Sequence, residues 1–166
     1  MDKKTLRLAI ASDHAGFDLK EELRKALVSE CGTMHDFGTY SRDSVDYPDF
    51  AEQVALSIVH GEQDLGILVC GTGIGMAISA NKISGIRAGA CSEPYSAIMS
   101  RAHNNANILA IGSRVVGVGL AIEIALSFLE TDFESGSRHE QRVRKISDLE
   151  TRWLDPSADG GKEVKC

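Results

Sequence analysis

The chain alternates short apolar runs with segments whose apolar residues recur every three or four positions. The first run is Leu6–Ala11, and the segment after it places Leu19, Leu23 and Leu27 on one face of a helix. Four further runs have the length and composition of strands: Met34–Phe37, Leu65–Cys70, Ile86–Cys91 and Ile108–Ile111. Apolar strands that alternate with helices are typical of a parallel sheet covered on both faces. We therefore predict a Rossmann-like three-layer α/β/α sandwich with a parallel sheet of about five strands.

Helix boundaries follow from local capping signals. Gly61 is predicted to end the second helix. Ser92 is predicted to cap a helix that has Pro94 in its first turn. Ser137 and Glu140 have the spacing of a capping box at the start of the last helix. Residues 1–154 are thus predicted to form one domain, and the polar, glycine-containing segment 155–166 is expected to be a flexible tail.

Composition excludes several classes of protein. The net charge of −6 and the pI near 5.3 disfavour a nucleic-acid partner, because phosphate backbones attract basic surfaces. No apolar stretch approaches the length of about 20 residues that a membrane helix needs, and there is no secretory apolar segment. We therefore expect a cytoplasmic protein without a membrane partner. The four cysteines form no CxxC pair and the five histidines no HExxH motif, so we expect neither a disulfide framework nor a metal.

The third predicted strand ends at Cys70, and the glycine-rich segment Gly71-Thr72-Gly73-Ile74-Gly75 follows it. Such a segment can bring backbone N–H groups close to an anion, as in a dinucleotide site, or can simply form a tight turn. The third glycine of the dinucleotide pattern is replaced by Met76, and no Walker A motif is present. A cysteine just before a helix start suits a reactive thiolate, but a buried structural cysteine is the commoner alternative.

Charged residues follow other predicted strands and begin the last helix. Asp13 and His14 supply an acid and a base after the first strand, although helix capping and a backbone hydrogen bond would explain them equally well. Asp46, before Tyr47-Pro48, fits a simple N-cap. Arg138 and Arg142 are like charges at i, i+4 near a helix N-terminus, which is unfavourable unless an anion binds there. Arg114 follows the fifth strand, and His103 ends the fourth helix, where the dipole favours a cation.

Seven short segments are the most distinctive part of the sequence: Ser12-Asp13-His14-Ala15-Gly16, Asp46-Tyr47-Pro48, Cys70-Gly71-Thr72-Gly73-Ile74-Gly75, Ala80-Asn81-Lys82, Ile86-Arg87-Ala88, Arg101-Ala102-His103-Asn104 and Gly112-Ser113-Arg114. Together they resemble the type B ribose-5-phosphate isomerases, of the family shared with the galactose-6-phosphate isomerase subunits. The resemblance extends over residues 6–153. One branch of that family has a carboxylate in the glycine turn. Here the turn has no acid and is preceded by Cys70, so the chain resembles the cysteine branch.

The resemblance implies an aldose–ketose isomerase that needs neither metal nor cofactor, and that interconverts D-ribose 5-phosphate and D-ribulose 5-phosphate in the pentose phosphate pathway. It also implies a homodimer whose active sites are shared between chains. Cys70 would move a proton between C1 and C2, Thr72 and the backbone from Gly71 through Gly73 to Gly75 would bind the enediolate, and His103 would open the sugar ring. The implied substrate contacts are Asp13, Asp46, Tyr47 and Asn104 for the sugar, and His14, Arg114, Arg138 and Arg142 for the phosphate.

Two other functions stay open. One is isomerisation of a six-carbon substrate, allose 6-phosphate or galactose 6-phosphate, which relative kcat/KM values would distinguish. The other is a nucleotide-binding module built on the glycine turn, which titration with NAD and ATP would reveal. Whether dimers pair further into tetramers stays open as well.

Overall fold

The computed structural model describes residues 3–154, so the predicted tail at 155–166, including Cys166, lies outside the described residues. Within that range strands and helices alternate. The strands are β1 Arg7–Ser12, β2 Thr33–Asp36, β3 Leu65–Cys70, β4 Ala88–Ala90 and β5 Ile108–Gly112. The α-helices are α1 Phe17–Leu27, α2 Tyr47–Val59, α3 Ile74–Ala80, α4 Pro94–Asn104, α5 Val118–Glu130 and α6 Arg138–Leu154. None of these helices is long and apolar enough to cross a membrane.

All strand pairs are parallel, in the order β2-β1-β3-β5-β4. One apolar cluster packs α1 and α5 against the sheet and includes Leu23 and Phe128. A second cluster packs α2 and α3 and includes Val54 and Met76. The predicted sandwich with a five-stranded parallel sheet is therefore confirmed. Because the strands are parallel, all of them begin at one edge of the sheet, the amino edge, and end at the other, the carboxyl edge.

Strand β4 is shorter than the apolar run that predicted it. Ile86 donates its N–H to the carbonyl of Ile83 in a turn, and the N–H of Arg87 bonds instead to the side chain of Asn107 at 2.8 Å. The outer side of β4 is occupied by Asn81, whose amide donates to the Ala88 carbonyl at 2.9 Å and accepts from its N–H at 2.8 Å. This amide takes the place of a neighbouring strand and protects the sheet edge.

The N-cap of α4 is Glu93, so the prediction of Ser92 is wrong. The Glu93 carboxylate accepts a hydrogen bond of 2.9 Å from the N–H of Ser96. A carboxylate at this position both satisfies an orphan N–H and interacts with the helix dipole. Pro94 is in the first turn, as predicted.

The end of α2 and the start of α6 follow the predicted signals. Gly61 has φ +71° directly after the last turn of α2, a conformation that favours glycine. The Ser137 hydroxyl accepts from the N–H of His139 at 3.1 Å, which confirms it as a cap. Glu140, however, accepts from the backbone N–H of Gly136 at 2.8 Å and not from that of Ser137, so the reciprocal half of the predicted capping box is wrong.

Candidate active site

The Cys70 side chain lies at the end of β3 and beneath the glycine turn. Its sulfur accepts a hydrogen bond of 3.1 Å from the backbone N–H of Gly73. Gly73 has φ +80°, and a Cβ added to it would lie 3.0 Å from the Ile111 carbonyl carbon. Glycine is thus needed both for the conformation and for the close approach. The turn therefore directs a backbone N–H at a buried sulfur.

The same turn has unused hydrogen-bond donors. Within residues 3–154, the backbone N–H groups of Thr72 and Gly75 donate no hydrogen bond. The Thr72 hydroxyl accepts from the N–H of Ile74 at 3.3 Å. Tyr47, the first residue of α2, covers Gly75 so closely that a Cβ there would lie 2.9 Å from its ring. The turn therefore offers N–H donors beside the Cys70 sulfur, bordered by an aromatic ring.

Asp13 and His14 occupy the carboxyl edge next to β3. The N–H of Asp13 bonds to the Val69 carbonyl at 3.1 Å, and its buried carboxylate accepts from the N–H of Gly16 at 2.9 Å. His14 Nδ1 accepts from the N–H of Val45 at 3.2 Å. Both residues thus have the backbone partners of the alternative explanation, although the partner of His14 is 31 positions away. A neutral His14 whose Nδ1 accepts has its proton on Nε2, which leaves that nitrogen as a donor to a ligand.

Asp46 and Arg114 complete the group at this edge. Asp46 occupies the N-cap position of α2, but its carboxylate makes no capping hydrogen bond. Arg114 donates its N–H to the Gly71 carbonyl at 3.1 Å. Its side chain extends over Gly71, where an added Cβ would lie 3.7 Å from the Arg114 Cδ. The simple-cap explanation for Asp46 therefore fails, and its carboxylate remains available to a ligand.

The other four predicted site residues lie at the amino edge: His103, Asn104, Arg138 and Arg142. Helix α4 starts at the carboxyl edge and runs back, so that the carbonyls of Asn104 and Asn105 accept from Arg87, the residue before β4. The loop before α6 joins this end of α4 through the N–H of Glu134 and the Ala102 carbonyl. The six residues of β3 span about 20 Å at about 3.3 Å each. Within one chain, His103 is therefore separated from Cys70 by about the length of the sheet.

Known proteins are similar to this chain in sequence and in fold. The family model described as Ribose/Galactose Isomerase matches residues 8–146. The chain belongs to this family. Ribose-5-phosphate isomerase B of Escherichia coli is 51% identical over 146 residues, which is 88% of this chain and 97% of the relative.

Two solved structures in the family are similar to the fold described above. Ribose-5-phosphate isomerase B of Clostridium thermocellum has a TM-score of 0.87 and 48% identity, covering 89% of this chain and 99% of that one. The Mycoplasma genitalium ribose-5-phosphate isomerase B, with bound ribulose-5-phosphate, has a TM-score of 0.82 and 39% identity, covering 88% of this chain and 97% of that one.

At the amino edge, His139 lies against His103, a contact that the sequence patterns missed. The two rings stack with centroids 3.9 Å apart and planes 1° from parallel. Burial lowers the pKa of His139, and the neighbouring His103, Arg138 and Arg142 lower it further. The available signal was the position of His139 between two arginines at a helix start.

Donor atoms of His103, Glu134 and His139 all lie within 4.8 Å of one another, which raises the question of a metal ion. Imidazole lone pairs lie in the ring plane. Two parallel stacked rings therefore cannot direct their lone pairs at one ion without rotating. The guanidinium groups of Arg138 and Arg142 also lower the pKa of His139, as positive charges do. This cluster suits an anion better than a cation, and the absence of a metal stays a prediction.

Proposed function

We propose that this protein is an aldose–ketose isomerase that interconverts D-ribose 5-phosphate and D-ribulose 5-phosphate, with Cys70 as the base. The observation that supports this most directly is the Cys70 sulfur held beneath the glycine turn, next to the open N–H groups of Thr72 and Gly75. Moving a proton next to a carbonyl requires a base near the carbon and donors at the oxygen where negative charge develops. The end of β3 provides both within one turn.

Each step of the reaction conserves its protons. His103 donates a proton to the ring oxygen as the C1–O bond breaks, and the O1 hydroxyl passes its proton to water, which yields the open aldehyde. The Cys70 thiolate takes the proton from C2, and the negative charge moves to O1, where the glycine turn binds it. Cys70 then returns the proton to C1, while the proton on O2 is transferred to O1. The product is the ketose, and the base is regenerated.

We further propose that the working unit is a homodimer in which each site uses two chains. Cys70 and its neighbours lie at the carboxyl edge, whereas His103, Asn104, Arg138 and Arg142 lie at the amino edge. No side chain spans about 20 Å, so one chain cannot place both sets on one sugar. A two-fold axis that brings the amino edge of one chain to the carboxyl edge of its partner forms two identical sites.

We also place the reaction in the cytoplasm. Cys31, Cys70 and Cys91 are free thiols, and the proposed base must stay reduced to work. Free thiols persist in reducing compartments and become oxidised outside them.

The test is an assay of the purified, EDTA-treated protein on ribose 5-phosphate, allose 6-phosphate and galactose 6-phosphate. The proposal expects the highest kcat/KM on ribose 5-phosphate, with EDTA having no effect. A higher value on either six-carbon sugar would reassign the substrate. No turnover of any sugar phosphate, together with saturable binding of NAD or ATP, would favour the nucleotide-binding alternative.

A further inference from the structure

His139 has the surroundings of a residue that holds another in place. It is the second residue of α6, and its N–H is tied to the Ser137 hydroxyl at 3.1 Å. Its side chain is buried, with 7% of the residue exposed. One face of its ring lies against the His103 imidazole, with centroids 3.9 Å apart. Neither the glycine turn nor the phosphate contacts proposed above require this ring.

The backbone beneath the two rings is braced from both sides. Arg101 is buried and donates to the Ala106 carbonyl at 2.7 Å, just past the end of α4. The same guanidinium donates to the Thr131 carbonyl at 3.2 Å, in the loop that leads to α6. The N–H of Glu134 adds a bond to Ala102 at 3.1 Å. The stack therefore joins two backbone segments that are already held at a set distance.

Charge adds to the effect of this geometry. The groups that act on His139 are His103 from α4, Glu134 from the preceding loop, and Arg138 and Arg142 from α6. Two of them are guanidinium groups, and together with burial they lower the pKa of His139 and favour its neutral ring. A neutral, buried ring offers a flat surface to its neighbour.

We infer that His139 is a positioning residue that fixes the plane of the His103 imidazole for opening the sugar ring. This inference rests on the proposed function, and it assigns to His139 a role in ring opening and none in proton transfer between C1 and C2. A ring with nothing behind it samples several rotamers, and catalysis falls steeply when a catalytic group is misplaced by about 1 Å.

The two substrates separate these steps. Ribose 5-phosphate is mainly a furanose and must be opened. Ribulose 5-phosphate has its O5 esterified, cannot close a furanose ring and enters the site already open. A defect confined to ring opening leaves the aldehyde supply to spontaneous opening in solution. The velocity from ribose 5-phosphate then stops rising with enzyme concentration, while the velocity from ribulose 5-phosphate remains proportional to it.

The experiment compares His139→Ala, His139→Phe and a control, His35→Ala. The control removes an exposed histidine whose ring centroid lies 4.3 Å from that of Phe37. For His139→Ala we expect the velocity from ribose 5-phosphate to fall by about tenfold or more and to reach a plateau as the enzyme concentration rises. The velocity from ribulose 5-phosphate should stay within about twofold of wild type. His139→Phe, which keeps a flat ring, should restore the velocity from ribose 5-phosphate. His35→Ala should match wild type with both substrates.

Three results would overturn the inference. Equal losses from both sugars in His139→Ala would indicate a general structural role, and unchanged velocities would indicate none. A His139→Phe variant that folds but is as impaired as His139→Ala would show that the nitrogen atoms are needed rather than the ring surface. Wild type that is inactive on both sugars would instead refute the proposed function, and the inference with it.

Discussion

The N–H of Gly73 donates a hydrogen bond of 3.1 Å to the sulfur of Cys70. This contact connects the last residue of β3 to the N-cap of α3. It depends on the left-handed conformation of Gly73, which turns the N–H back toward the strand. The sulfur is therefore held in one place, directly beside the free N–H groups of the turn.

Cys70→Ala should abolish isomerisation while the fold and the affinity for phosphate persist. The alanine keeps the small side chain beneath the turn and removes only the proposed base. Steady-state kinetics on ribose 5-phosphate would measure the loss. The matched control is Cys31→Ala, since Cys31 lies after α1 and bonds to the Leu27 carbonyl. If Cys70→Ala keeps more than about a tenth of the wild-type kcat, a loss under about 1.4 kcal/mol, Cys70 is not the base.

Mixing Cys70→Ala and His103→Asn dimers should restore activity on ribose 5-phosphate, above the background that spontaneous ring opening gives. In a dimer with crossed sites, each heterodimer has one intact site and one site with both defects. Random pairing makes about half of the dimers mixed, so about a quarter of the wild-type activity should return. Native mass spectrometry would verify subunit exchange. No recovery after verified exchange would place both residues in the same chain's site, contrary to the proposed arrangement.

Arg138→Ala and Arg142→Ala should weaken phosphate binding without lowering stability in phosphate-free buffer. Arg138 is the first residue of α6, so its charge opposes the helix dipole, and it repels Arg142 by about 0.2–0.5 kcal/mol. Inorganic phosphate should raise the Tm of wild type more than that of either variant. Arg144→Ala is the control, because Arg144 is on the same helix but pairs with Glu140. Equal stabilisation of all proteins would exclude the two arginines as ligands.

Gly75→Ala should raise KM while the protein stays folded. A Cβ at Gly75 would lie 2.9 Å from the Tyr47 ring, which is 40% exposed and free to move outward. The free energy of unfolding should change by less than about 1 kcal/mol, and KM should rise about tenfold as Tyr47 leaves its place. Gly119→Ala is a matched control at the same helix position of α5, where an added Cβ meets nothing within 4 Å. An unchanged KM would remove Tyr47 from the binding site.

The fold was predictable because strand and helix periods are local properties of the chain. The predicted length of β4 was wrong because a distant residue decides it. Asn107 takes the N–H of Arg87 across 20 positions, which shortens β4. No pattern within a run of neighbouring residues contains such a contact.

The site was predictable to the extent that topology determines it. Residues that follow parallel strands must share the carboxyl edge, so Asp13, Cys70 and Arg114 could be grouped in advance. The direction of α4 also implies that His103 lies at the other edge. The stacking of His139 on His103 could not be foreseen, because it depends on how α6 packs against α4.

A buried lysine on α1 was equally invisible to sequence patterns. Lys20 has 0% exposure, and its ammonium lies 2.6 Å from Asp36 and 3.1 Å from Glu21. Asp36 also accepts the N–H of Gly38 at 2.9 Å. The carbonyl of Gly38 in turn accepts from Ser12 at the end of β1. The ion pair therefore supports the loop that leads from β2 toward α2.

Lys20→Met should destabilise the protein by about 3 kcal/mol, because removing one partner leaves two carboxylates close together without their cation. Urea unfolding followed by circular dichroism would measure the change. The double variant Lys20→Met with Asp36→Asn should recover part of that loss, since the amide removes the unpaired charge and can still accept from Gly38. Arg24→Ala is the control, because its pair with Glu21 is exposed and should contribute under about 1 kcal/mol. Additive losses in the double variant would show that Lys20 stabilises the fold through packing of its methylene chain and not through the ion pair.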